Sequence, residues 1–227
     1  MRLVELGLGS PDNMHLGTHF KYVPTKSATF YGQFLLTEFF AEEFFGGNNW
    51  FGNKYAFQLG SKFHNFRFAK NLFIQLEYNH VRPFTYNHRH AITNFSHAGQ
   101  GLAHPSGSNL QELATIVNYR YKKWNFNIKS VIRKSGLENT DSTSIGTDVL
   151  RSYELRESEY GNVIGQGITY QQFHTVLKTS YLINPSNMMF LEAGVVNRFQ
   201  IINGTDIQSN YIFIGLRTGI SNFYYDF

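Results

Sequence analysis

The chain contains no cysteine. That removes disulfide frameworks and thiolate metal centres, and it fits a polypeptide that need not manage its redox state in transit. Proline is scarce, with 5 in 227 residues. No stretch rich in proline, serine or like charge interrupts the sequence as an interdomain linker would, so residues 1–227 read as a single domain. Nowhere do about 18 apolar residues run together, which excludes a helical membrane span. Charge is also sparse: 20 basic and 16 acidic residues are spread along the whole length without the Lys/Arg clustering of a nucleic-acid partner. The opening Met1-Arg2-Leu3-Val4-Glu5-Leu6 lacks the charged, apolar and small-residue regions of a signal peptide. Met1 is therefore read as a start inside a longer protein or as the start of a truncated gene.

Rings are abundant. Aromatics reach 17%, with 22 Phe and 14 Tyr, yet the mean hydropathy is −0.31. A sheet with one face toward lipid and the other toward a wet lumen has this balance. Its diagnostic is period-2 alternation over segments of about ten residues. In 28–36, Ala28, Phe30, Gly32, Phe34 and Leu36 alternate with Thr29, Tyr31, Gln33 and Leu35. In 71–79, Leu72, Ile74, Leu76 and Tyr78 oppose Phe73, Gln75, Glu77 and Asn79. In 124–133, Trp124, Phe126, Ile128 and Ile132 oppose Asn125, Asn127, Lys129 and Arg133. Weaker alternation marks 15–23, 54–63, 109–121, 171–182, 188–200 and 209–218, with 2–8 as a further candidate. Ile212, Ile214 and Leu216 join the lipid-facing rows.

Connection length alternates as well. Short turns fall at 24–27, 122–123 and 184–187, and long polar loops near 39–53, 82–108 and 136–169. Outer-membrane barrels pair short periplasmic turns with long extracellular loops. The expected fold is thus an antiparallel transmembrane β-barrel of about ten strands, the C-terminal part of a larger barrel, in contact with outer-membrane lipid. The alternating rings at Phe223, Tyr225 and Phe227 resemble the terminal signal read by barrel-assembly machinery. The competing fold is a soluble sandwich, which would need every outward row buried by a second sheet and stands against the charges of the inner rows. Those rows hold Glu77, Glu112, Lys129, Arg133, Lys178, Glu192, Arg198 and Arg217, and a dry core would not hold so many charges without large desolvation costs.

One stretch stands apart: Gln75-Leu76-Glu77-Tyr78-Asn79-His80-Val81-Arg82-Pro83-Phe84-Thr85-Tyr86-Asn87-His88, then Thr93 to His97, Leu102 to Pro105, and Ser108-Asn109 through Glu112. With Trp50, Asn53-Lys54, Gln58, Gly60 and the ending Arg217-Thr218 to Asn222 and Tyr224 to Phe227, it resembles the capsule-assembly Wzi-type outer-membrane proteins, in the Bacteroidota branch that includes RemB-like gliding-motility proteins. The resemblance implies a barrel of more strands than this shorter chain supplies. It also implies a lectin-like role in attaching surface polysaccharide, with gliding or adhesion as the setting. The chain departs from the family pattern at Gly99-Gln100-Gly101 and Ser106.

Five of the nine histidines lie between His80 and His104. A metal site and a His-based acid/base site are open readings, but no regular ligand spacing accompanies them. The plainer reading is a network of His, Tyr86, Asn87, Asn94, Gln100 and Asn109 that pins a long loop into the barrel mouth. Rings beside amides, Arg and His also suit a sugar. On that reading Trp50, Phe51, Tyr86, His88, Arg89, His90, Phe95, His97, His104 and Asn109 are the glycan candidates, with Tyr86, His88 and Arg89 at the outer edge. Glu77, Asn79, Glu112, Lys129, Arg133, Lys178, Glu192 and Arg217 form the inner polar network, with Arg82 expected to neutralise Glu77 and Glu112. The acids of 136–169 lack EF-hand spacing, so that loop reads as solvated and mobile. No catalytic set, cofactor or metal is assigned. A pore and, last, an outer-membrane hydrolase are the alternative functions.

Overall fold

The computed structural model describes residues 13–66, 69–102 and 104–219. Nine strands form one antiparallel sheet in chain order. They begin with β1 (Leu16–Thr25), β2 (Ala28–Glu38), β3 (Lys54–Phe66) and β4 (Ala69–Val81). A small separate hairpin follows, β5 (Ser96–His97) with β6 (Gln100–Gly101). The main sheet resumes with β7 (Leu110–Tyr121), β8 (Trp124–Leu137), β9 (Ile168–Asn184), β10 (Met189–Ile202) and β11 (Thr205–Arg217). The alternating segments therefore are strands. The sheet is not closed into a barrel: β1 and β11 are unpaired edges among the described residues. The candidate strand at 2–8 and the terminal aromatics at 223–227 lie outside the described residues.

Register decides which side chains share a face, because antiparallel partners point the same way. Ala28, Phe63, Ile74, Val117, Ile128, Leu177, Val195 and Ile212 are successive partners across eight strands. One residue away, Lys62, Gln75, Ile116, Lys129, Val176 and Val196 form the neighbouring row on the opposite face. Every row read as apolar falls on the first face, and Glu77, Glu112, Lys129, Arg133, Lys178, Glu192, Arg198 and Arg217 fall on the second. Phe20, Phe30, Phe34, Leu59, Leu76, Phe126, Leu177, Ile212 and Ile214 on the apolar face are exposed. No second sheet covers them among the described residues.

The core lies instead at the loop end. Ala56, Val81 and Leu110 on the polar face pack with Tyr86 and Val149 from the loops, and Leu35 and Phe95 close the cluster. The loop 138–167, read from its composition as solvated and mobile, is anchored at several buried points, although Asp141, Glu154, Glu157 and Glu159 stay exposed. Ser144, Ile145, Val149 and Asn162 are buried. The Glu138 carboxylate accepts the backbone N–H groups of Ile145, Thr147 and Asp148 at 2.8, 3.2 and 3.0 Å, which folds the acidic stretch around one of its own charges. Gly146 sits where the loops meet: its carbonyl accepts Phe84 N–H at 3.0 Å and Ser108 Oγ–H at 2.6 Å. Its φ of +78°, and the 2.4 Å that would separate a Cβ from Phe84 N, leave room only for glycine.

Three local features differ from the expectation. A short helix α1 (Ala41–Gly46) occupies the first long loop, and the β5–β6 hairpin occupies the second. The last connection is a two-residue turn at the loop end, Asn203 (φ 48°) and Gly204 (φ 79°), so the strands extend to Ile202 and from Thr205. Asn-Gly takes up the paired positive φ values of such a hairpin, and it breaks the alternation of long loops with short turns.

Candidate functional site

The loop end of the polar face carries a lateral row of hydrogen-bonding side chains. His19, Gln33, Gln58, Asn79, Glu112, Arg133, Gln172 and Gln200 are successive partners from β1 to β10. Strands about 4.8 Å apart bring neighbouring side chains within bonding reach. Gln33 donates to Gln58 Oε1 at 3.1 Å, and Asn79 donates to Glu112 Oε1 at 3.4 Å. Arg133 lies 3.9 Å from the Glu112 carboxylate and donates to Gln172 Oε1 at 2.8 Å. One row toward the turns, Tyr31 donates to Glu77 at 2.7 Å and accepts from Gln75 at 3.0 Å. Its ring lies across Gly60, where a Cβ would stand 2.1 Å from the ring.

The segment 82–109 folds over this row, held by backbone and side-chain bonds. Thr85 Oγ–H is within bonding distance of the Tyr55 and Arg82 carbonyls at 3.1 and 2.8 Å, and the Phe95 N–H reaches Tyr86 O at 2.9 Å. His104 reaches down to Glu112 at 3.4 Å, and Arg133 donates to Ser106 Oγ. Between loop and sheet lies a cavity of about 990 Å³. Its floor includes Gln33, Gln58, Glu77, Asn79, Glu112 and Arg133, and its roof includes Tyr86, Phe95, Leu102, His104 and Pro105. A volume at the upper end of small-ligand pockets, with amides and carboxylates facing rings, suits a polyhydroxylated molecule.

The residues singled out in the sequence separate into several places. Tyr86 and His104 line the cavity. Tyr86 is not at the outer edge: it is buried in the core cluster, and burial pushes its phenol up to about 12. Asn109 is wholly buried, donating to Thr147 Oγ1 at 3.0 Å and Gln166 O at 3.1 Å and accepting Gly165 N–H at 2.8 Å. This ties the start of β7 to the third loop and leaves nothing for a ligand. Trp50 packs with Phe40 and Phe51 on top of the loops, with ring centroids 6.3 and 5.3 Å away. Arg89, His90 and His97 are exposed, and Arg89 pairs with Glu154 at 3.6 Å.

His88 is half-buried and bonded through Nδ1 to Thr93 Oγ1 at 2.6 Å. That hydroxyl already donates to His90 O, so Nδ1 carries the proton. Burial, and then the charge of Lys54, hold its pKa below 6.5.

The inner polar residues split into two groups. Glu77, Asn79, Glu112 and Arg133 form the cavity network. Lys178 and Arg217 pair with Glu192 at 3.6 and 2.8 Å nearer the short turns, and Lys129 belongs to neither group. Arg82 does not neutralise Glu77 or Glu112 as expected. It donates to the carbonyls of Trp50 and Asn162 at 3.3 and 3.2 Å, and Arg133 and His104 take its place at Glu112.

Sequence reading missed Gln33, Gln58 and Gln172 as one row. Their spacing in sequence holds no trace of it. It also missed Lys54, fully buried between Glu38 at 3.1 Å and the Tyr153 ring at 3.9 Å. Ser106, His104 and Glu112 do not form a nucleophilic relay. Ser106 Oγ is held by Arg133, and His104 Nδ1 accepts the Ser106 backbone N–H at 3.2 Å. No group of three or more metal-ligating side chains occurs among the described residues. No family model matches the chain, and no curated protein or solved structure gives a significant match.

Proposed function

We propose that this chain forms part of the wall of a bacterial outer-membrane barrel whose loop-end cavity binds surface polysaccharide. The observation that carries the membrane reading is the inverted face pattern. Large apolar side chains are exposed along eight successive strands, while the charges collect on the opposite face and pair there. In water a patch of that extent drives association, whereas in lipid it is the expected exterior. Rings lie near both ends of the apolar face: Tyr22, Tyr121, Trp124 and Tyr181 at the turns, and Tyr55, Phe57, Phe173 and Phe199 toward the loops. They mark the two interfaces of the bilayer.

The saccharide reading rests on the row from Gln33 to Gln172 beneath Tyr86 and Phe95. Amide and carboxylate pairs accept and donate to vicinal hydroxyls, and the roof covers the C–H face of a sugar ring. The resemblance to the capsule-assembly Wzi-type proteins, rather than the geometry, suggests attachment of capsular polysaccharide in a setting of gliding or adhesion as the biological role. The membrane reading is tested by fractionation and heat-modifiable gel mobility, and recovery only in the soluble fraction would overturn it. The saccharide reading is tested with Gln58→Leu and Asn79→Leu. Each should lower retention of surface polysaccharide while the amount of folded, heat-modifiable protein is unchanged, and full retention in both would refute it.

A further inference from the structure

The charges are polarised along the strands. At the loop end Glu38, Asp141, Asp148, Glu154 and Glu159 are paired with Lys54, Arg151, Arg89 and Arg156, and Glu42, Glu43, Glu138 and Glu157 stand beside them without a basic partner among the described residues. At the turn end, Glu192 is the one carboxylate among the described residues, and it is already paired with Lys178 and Arg217. Against it stand Lys26 in the β1–β2 turn, Lys70 at the start of β4, and Lys122 and Lys123 in the β7–β8 turn, all exposed. Adjacent hairpins lie two strand spacings apart, so these lysines recur at about 10 Å along the rim. They are interleaved with the rings that end the apolar face. Lys122 stands 5.3 Å from the Tyr121 ring and Lys123 6.0 Å from the Tyr181 ring, and Trp124 packs on Tyr181 at 4.9 Å.

From this rim we infer that the turn end of the sheet binds the headgroups of anionic phospholipid. The inference rests on the membrane reading above. Rings at the apolar boundary fix the depth of the lysines at the headgroup level, where a phosphate is the complementary charge, and each lysine near an anionic surface strengthens binding roughly fivefold. A protein partner would be matched by the charges alone. It would not call for the rings, which lie on the apolar face rather than beyond it.

The test is refolding of the whole chain from denaturant into vesicles of phosphatidylcholine alone and of phosphatidylcholine with phosphatidylglycerol, read by heat-modifiable mobility. The wild type should fold at least tenfold faster with phosphatidylglycerol at low salt, and molar salt should abolish the gain. The combined variant Lys26→Gln, Lys70→Gln, Lys122→Gln, Lys123→Gln should fold as well as wild type in phosphatidylcholine and show no gain. A wild type indifferent to phosphatidylglycerol, or a variant that keeps the gain, overturns the headgroup site. A chain that neither folds in nor floats with either vesicle overturns the membrane reading instead.

Discussion

Leu177→Arg separates lipid from water most sharply. Leu177 lies at the middle of β9 between Ile128 and Val195, on the apolar face, and is 48% exposed. In water, removing a leucine already half-exposed forfeits roughly half of the ~1.5–3 kcal/mol that full burial is worth, and the guanidinium can be solvated. The expected cost there is about 1 kcal/mol. In a bilayer the same change places a cation near the midplane, at about 2–4 kcal/mol, or roughly 30- to 900-fold in the folding equilibrium constant. Ala114→Arg is the control. It lies on the opposite face with Glu77 as its Cα partner, where a cation meets a carboxylate and the wet side of the sheet, and it should cost under about 1 kcal/mol. Denaturant unfolding in phosphatidylcholine vesicles gives both values from the shift of the midpoint. Equal costs for the two substitutions, or a Leu177→Arg protein as stable as wild type, would refute the assignment of this face to lipid.

Asn109→Ala removes three hydrogen bonds from a fully buried site and places alanine at a φ of 58°, so a loss of roughly 3 kcal/mol is expected in the same unfolding assay. Gly146→Ala should detach segment 82–109 from the third loop, seen as faster proteolysis within 95–106 while the sheet's heat-modifiable mobility persists. His15 and His88 are both held below 6.5, first by burial and then by neighbouring positive groups. The unfolded chain therefore takes up protons first. Stability from the two imidazoles is complete above 6.5 and is lost as the pH falls below it toward their folded values. The hydrogen-exchange protection of 82–96, taken relative to the intrinsic exchange rate at each pH, should fall on acidification through that value. Protection that does not change with pH, or that falls equally in the His15→Gln, His88→Gln double variant, would contradict the assignment.

The strands were legible because period-2 alternation is a local property. Phe30, Leu76, Ile128 and Ile214 announce their face by what stands beside them in sequence, and register then had to agree with the pattern or put every apolar row on the charged face. The final hairpin was misjudged because Ile201, Ile202 and Ile207 blur the alternation, although the Asn203-Gly204 pair was a turn signal in plain view.

The site was legible only in its chemistry. Composition pointed to a loop between 82 and 112 rich in groups that must be covered or satisfied; Phe84 and Tyr86 are buried, whereas Ile92 and Leu102 stay exposed. Which of them face a ligand and which are interior struts depends on partners 30 to 80 residues away: Asn109 and Tyr86 look in sequence like Arg89 and His90, and burial alone tells them apart. Sequence by itself thus determined the elements and their two faces, since backbone geometry turns a repeat of two into a surface. Only the tertiary structure decided that Gln33, Gln58, Asn79, Glu112, Arg133 and Gln172 stand in one row. A lateral row is a matter of strand register, and register is set jointly by all nine strands rather than by any one of them.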